Sequence, residues 1–126
     1  EVLAELSRPR RFARGQAVLE EGQQGDALYV LVSGEVEVLR RDGPGEKALT
    51  RLGPPEFFGE MALVDREERS ATVRAVSDVT VLQLTAQNLT AFRRQSRDGF
   101  TFLVLNIARA LSRRLRETNA RLASLL

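Results

Sequence analysis

Between Phe12 and Leu84 glycines cut the chain into apolar runs too short for helices. Ala17, Val18 and Leu19 precede Gly22 and a turn at Gly25 and Asp26. Residues 28–32 are a nearly continuous apolar run of strand length, broken by Gly34. Glu35, Val36, Glu37 and Val38 then alternate with period two, which predicts one buried and one wet face. Asp42-Gly43-Pro44-Gly45 predicts a turn, residues 47–52 a strand, and Gly53-Pro54-Pro55 another turn. Residues 71–76 and 79–84 predict two strands paired around Ser77 and Asp78. Many short strands at this spacing predict a mainly β fold with helices, a sandwich or small barrel.

The period changes after Leu84. Thr85 is a suitable N-cap for a short helix carrying Leu89 and Phe92, with Arg93, Arg94 and Arg97 near its end. A long helix follows from about Asp98 with two apolar stripes. Phe100, Leu103, Ile107 and Ala110 are placed to pack on the strands. Val104, Ala108, Leu111, Leu115, Thr118, Leu122 and Leu125 step by four and three, the period of a coiled-coil seam over about three heptads. A helix with two apolar faces predicts a second copy on one of them. Thr118 is the only polar residue of the seam, and such a residue sets register. The predicted organisation is residues 1–97 as a β-roll with flanking short helices and 98–126 as the long helix of the same domain. At the other end Val2, Leu3 and Leu6 predict the tail of a helix stopped by Pro9. Arg8, Arg10, Arg11 and Arg14 around Phe12 fit a nucleic-acid or membrane contact or a solvated edge, and the solvated edge is preferred.

Composition narrows the function. The 126 residues suffice for one domain. There is no cysteine and no histidine, so disulfides, thiol chemistry and a Ser-His-Asp arrangement are excluded within this chain. The usual ligand set of a metal enzyme on a small β-roll is missing as well, and no catalytic role, metal or cofactor is expected. The net charge is only +2, with Lys47 the sole lysine, which argues against a free-standing nucleic-acid binder. No apolar run is long enough to span a bilayer, and a cytoplasmic location is expected. A start at Glu1 in place of methionine implies a fragment or a processed chain.

Candidate chemistry concentrates at residues 57–75. Gly59 lets a ligand approach the backbone, and Met61, Ala62 and Leu63 predict a short helical turn with free N–H groups at Gly59 and Glu60. Such an end attracts phosphate. Arg69 adds a planar fork of donors, and Glu60 is an acceptor for a ribose hydroxyl. Backbone N–H groups at Ser70 and Ala71 complete an anion cradle. With the site empty, Arg69 and Glu60 are expected to be solvated or paired with each other.

Phe58-Gly59-Glu60-Met61-Ala62-Leu63, a short loop, and Arg69-Ser70-Ala71-Thr72-Val73 together resemble the phosphate-binding cassette of the cyclic nucleotide-binding domain family. Glu68 stands where the kinase-type members have proline, and Glu-Arg-Ser-Ala is the reading of the bacterial catabolite activator branch. Gly15, Gly22, Gly25 and Gly34, with Tyr29 and Val30 between, extend the resemblance. It implies a double-stranded β-helix (jelly roll) followed by a long dimerisation-type helix. It implies a cyclic nucleotide ligand, cAMP first and cGMP second, held by Phe58, Gly59, Glu60, Met61, Arg69, Ser70 and Ala71. In that branch the long helix supplies a polar pair to the adenine, one residue of it from the partner subunit, and Thr118 and Asn119 fall at that pair. The implied output is transcription regulation through a DNA-binding part beyond Leu126. Regulation of a fused channel or enzyme is an alternative, as is a dimerisation module without a ligand.

Overall fold

The computed structural model describes residues 7–60 and 68–125. The expected N-terminal helix and the helical turn at Met61, Ala62 and Leu63 lie outside the described residues.

Among the described residues eight antiparallel strands form two four-stranded sheets. The strands are β1 (Arg8–Phe12), β2 (Ala17–Leu19), β3 (Ala27–Ser33), β4 (Val36–Asp42), β5 (Gly45–Leu52), β6 (Phe57–Phe58), β7 (Thr72–Ala75) and β8 (Val79–Thr85). One sheet has the order β1-β8-β3-β6 and the other β2-β7-β4-β5. The longest pairings are β4–β5 and β3–β8, one in each sheet. Inward side chains of both sheets, among them Tyr29, Leu31, Val36, Phe58, Val73 and Val81, make one core.

The apolar run at 28–32 is continuous because β3 is covered on both faces over its first half. Tyr29 and Leu31 point into the core. Leu28 lies on the opposite face by the two-residue alternation, directly across from Leu84 of β8, and both are fully buried. Helix α1 (Ala86–Gln95) starts at the end of β8 and packs back against it. The predicted cap is present: Thr85 Oγ1 accepts from Asn88 N–H at 3.1 Å, and Asn88 Oδ1 accepts from Thr85 N–H at 3.0 Å. The β4–β5 turn is Gly43-Pro44, with Gly43 at φ 62° ahead of a proline fixed near −65°, the φ signs of a type II′ hairpin.

The basic cluster falls on a strand that the sequence pattern did not assign: Arg8–Phe12 is an edge strand paired with β8. Its arginines stay exposed, as a solvated edge requires, and Arg10 lies over the ring of Phe12 at 5.1 Å. Proline and charge on a free edge discourage pairing with another chain.

Helix α2 (Arg97–Leu125) has the two faces that its stripes predict. Phe100, Leu103 and Ile107 are half-buried and Ala110 is buried. The seam residues Val104, Leu115, Leu122 and Leu125 are exposed, at 46, 61, 56 and 82%. Within the described residues no helix is long and apolar enough to cross a membrane.

Candidate functional site

Arg69 is carried inward by its own backbone. Its N–H donates to Gln23 O at 2.7 Å and its carbonyl accepts from Gly22 N–H at 2.9 Å, while Glu68 bridges to Gln24. The guanidinium ends in the fold, only 8% exposed. Nη1 donates to Gly59 O at 2.9 Å and Nη2 to Ala27 O at 3.1 Å. Gly25 lies flat against it, so that a Cβ there would run into Nε, Cζ and Nη2. Gly59 has φ 81°, in the left-handed region, and a Cβ on it would sit 3.0 Å from both Ala27 O and Arg69 Nη1. The glycine does permit a close approach, and the group that approaches is this guanidinium.

The expectation that Arg69 and Glu60 are solvated or mutually paired is not met. Two peptide carbonyls solvate Arg69 in place of water, and Glu60 takes a cation from α2. Arg114 Nη1 donates to Glu60 Oε1 at 3.4 Å and Nη2 to Phe57 O at 2.6 Å. Its Cζ lies 4.5 Å above the Phe57 ring, and Glu56 Oε2 is 3.9 Å from Nη2. One side chain thus fastens the middle of α2 to β6 and to the carboxylate beside Gly59.

These groups surround a cavity of about 830 Å³, within the roughly 300–1,000 Å³ of small-molecule sites. Of the expected residues, Phe58, Gly59, Glu60, Arg69, Ser70, Ala71 and Thr118 line it. Phe58 belongs chiefly to the core, 4% exposed and stacked on Tyr29 at 5.5 Å. Met61 lies outside the described residues. Asn119 is exposed and is not part of the lining, so the structure does not bring it to the site of its own chain. Thr118 Oγ1 donates to Arg114 O at 3.0 Å, which leaves its lone pairs for a ligand.

Sequence reasoning missed the opposite wall, formed by Leu49, Thr50 and Arg51 of β5 and by Arg113, Arg114, Glu117 and Arg121 of α2. A signal for the helix residues was present. The packing stripe Phe100, Leu103, Ile107, Ala110 continues in the same steps of four and three to Arg114, Glu117 and Arg121. Polar residues in a packing stripe mark the place where the helix leaves the core and faces the cavity. Among the described residues five arginines and four glutamates line the space, so their charges nearly balance. The feature that departs from this balance is Arg69, buried without a paired carboxylate among the described residues. Behind the wall, Arg74 makes a two-pronged bond with Glu46 at 2.9 and 3.3 Å that ties β7 to the β4–β5 hairpin. That hydrogen bond, with nearby carboxylates, raises the Arg74 pKa above its ordinary value. No cluster of three or more potential metal ligands occurs among the described residues.

The sequence profile described as "Cyclic nucleotide-binding domain" matches residues 9–96. Two curated relatives are a cyclic AMP receptor protein of Thermus thermophilus and a CRP-like cAMP-activated global transcriptional regulator of Mycobacterium tuberculosis. The first is 39% identical over 90% of this chain and 51% of its own length. The second is 33% identical over 98% of this chain and 54% of its own. The crystal structure of the Thermus thermophilus catabolite activator protein superposes with a TM-score of 0.82, at 37% identity over 98% of this chain and 56% of that one. The chain spans about half the length of these relatives.

Proposed function

The chain belongs to the cyclic nucleotide-binding domain family, and from that premise we propose that it is a cAMP-sensing regulatory domain, with cGMP the second candidate. The observation that supports the reading best is Arg69, a charged fork buried beside Gly59 at the cavity wall with no carboxylate paired to it among the described residues. A cyclic phosphodiester supplies the missing negative charge. In this reading Phe58, Gly59, Glu60, Met61, Arg69, Ser70 and Ala71 hold the sugar phosphate. Residues 1–97 form the roll and 98–126 the helix that responds to it. Glu60 is central to that response, because the hydrogen bond it accepts from the ribose 2′-hydroxyl and the Arg114 pair compete for or share one carboxylate. Ligand and helix position are thereby linked, and whatever is attached to α2 is biased by differential affinity for two helix arrangements. The output we propose is transcription regulation in the cytoplasm, through a DNA-binding part outside these residues. Calorimetric titration with cAMP and cGMP tests the ligand. Saturable binding at micromolar concentration or tighter is expected, and flat isotherms for both refute the reading.

The proposed assembly is a homodimer through the seam of α2. Its supporting observation is the run of exposed apolar side chains at heptad spacing, Leu115 and Leu122 foremost. Thr118 and Asn119 would then serve the base as a pair, Thr118 in its own protomer's cavity and Asn119 in that of the partner. Leu115→Arg is expected to convert a dimer to a folded monomer in sedimentation velocity, since it places two like charges across the seam and removes an apolar contact. A wild-type protein that sediments as a monomer at high concentration would end the dimer proposal.

A further inference from the structure

Over its first half α2 is apolar nearly all the way round, and the roll and the proposed seam take only two of its faces. Phe100, Leu103 and Ile107 pack on the roll, while Val104, Ala108 and Leu111 open the seam. Phe102 and Leu105 belong to neither. At 3.6 residues per turn, Phe102 stands about 100° round from Leu103 and about 160° from Val104. Leu105 stands about 100° from Val104 and about 160° from Ile107. Both side chains reach into water, Phe102 at 65% exposure and Leu105 at 47%. A helix with apolar residues on every side is normally covered on every side. A second copy at the seam leaves Phe102 open, because a two-stranded coil buries the a and d columns and their flanks.

The polar surroundings of this third face carry one sign. Arg109 and Arg116 follow Phe102 at steps of seven, on one column of the helix, and both are exposed. Neither has an ion-pair or hydrogen-bond partner among the described residues. No carboxylate occurs from Gly99 to Arg116. Asp98, one turn before Phe102, lies in the first turn of α2, where it complements the helix dipole. An aromatic and a leucine three residues apart, followed by unpaired cations, suit a helix that is apolar on one side and acidic beside it. A bilayer surface calls for an apolar face sustained over several turns, and here it occupies one. DNA draws its affinity from many phosphate contacts, and two arginines supply few. We propose that Phe102 and Leu105 anchor, and Arg109 and Arg116 orient, an acidic amphipathic helix of a partner protein on the outer face of α2. This face is separate from the nucleotide cavity, whose lining on α2 starts at Arg113.

The test uses fluorescence anisotropy of labelled synthetic helices of about 18 residues, long enough to lie along α2 from Phe102 to Arg116, about 21 Å. One helix has leucines on one face and glutamates elsewhere, and its counterpart has lysine for every glutamate. Vesicles containing phosphatidylserine and a short DNA duplex are titrated alongside. The acidic helix is expected to bind wild type at micromolar concentration, and the lysine helix about tenfold more weakly. Phe102→Ala should weaken the acidic helix by about tenfold or more, with an unchanged urea midpoint because the side chain is exposed. Arg109→Glu combined with Arg116→Glu should reverse the preference between the two helices. Equal binding of both helices, binding indifferent to Phe102→Ala, or no binding of the acidic helix overturns the proposal. Tighter binding of the vesicles or the duplex gives the face to a lipid surface or a nucleic acid and overturns it too. Leu122→Ala trims the seam and should leave the acidic helix bound. A greater loss there than in Phe102→Ala assigns the helix to the seam, which also overturns the proposal.

Discussion

Arg69→Ala is expected to lower cyclic nucleotide affinity by about two to four orders of magnitude. Each charge-assisted bond contributes roughly 1.5–3 kcal/mol, and a planar fork can present two of them to one phosphodiester. The effect is large because the group is prepared before ligand arrives. Its guanidinium is held by Gly59 O and Ala27 O and is nearly dry, so little side-chain freedom remains to be lost on binding. A guanidinium cannot shed its proton, and a buried charge without a counter-charge is costly. No carboxylate pairs with Arg69 among the described residues, so in the proposed reading a bound anion supplies the counter-charge and ligand should raise the melting temperature with concentration. Arg69→Lys keeps the charge but loses the fork and one of the two carbonyl bonds, and intermediate affinity is expected. The alanine variant also leaves two carbonyls without their donors, at about 1–3 kcal/mol for a buried one. Urea unfolding should accompany the titration so that lost binding is measured on folded protein. Wild-type affinity in Arg69→Ala would remove the site assignment altogether.

What the sequence made legible follows from how local each signal is. The turn at Gly43 and Pro44, the N-cap at Thr85 and the two stripes of α2 depend on neighbours within about a turn or a strand, and all were readable. Strand β1 was not, because only Phe12 of its five residues reaches the core side and Pro9 and the arginines mask any alternation. In the site, Gly59, Glu60 and Arg69 stood out as a short motif, but their partners did not. Arg69 bonds to Ala27, 42 residues earlier in the chain, and Glu60 to Arg114, 54 residues later. Pairings of that separation are set by the topology of the roll and the angle of α2, which no local pattern encodes. The expectation that Arg69 and Glu60 are solvated or paired with each other failed for the same reason. It considered the two charges alone, when peptide carbonyls and a helix arginine were competing for them. The stripe that runs on from Ala110 to Arg114, Glu117 and Arg121 shows where a better reading was available.

Gly25→Ala should act almost entirely through Arg69, and this makes it the sharper test of the site's construction. Gly25 carries no ligand-binding group and its φ is outside the left-handed region, so alanine fits its backbone. The added Cβ meets Nε, Cζ and Nη2 of the guanidinium, and the fork must leave the bonds to Gly59 and Ala27 to make room. Affinity is expected to fall by one to three orders of magnitude, approaching the Arg69→Ala value as displacement becomes complete. In the Arg69→Ala background the same methyl enters space the guanidinium has vacated, and no further loss should follow. The coupling in this double-mutant cycle then equals the whole effect of Gly25→Ala on binding. Stability should change sign across the cycle. With Arg69 present the methyl is destabilising, because it displaces a buried charge from its carbonyls. Without Arg69 it is expected to stabilise by about 0.4–1 kcal/mol, through the lower entropy of the unfolded chain. Urea midpoints of the four proteins read this directly. Additive losses in binding, or a methyl that destabilises equally in both backgrounds, would mean that Gly25 acts on the fold at large and that the guanidinium does not rest where the site requires it.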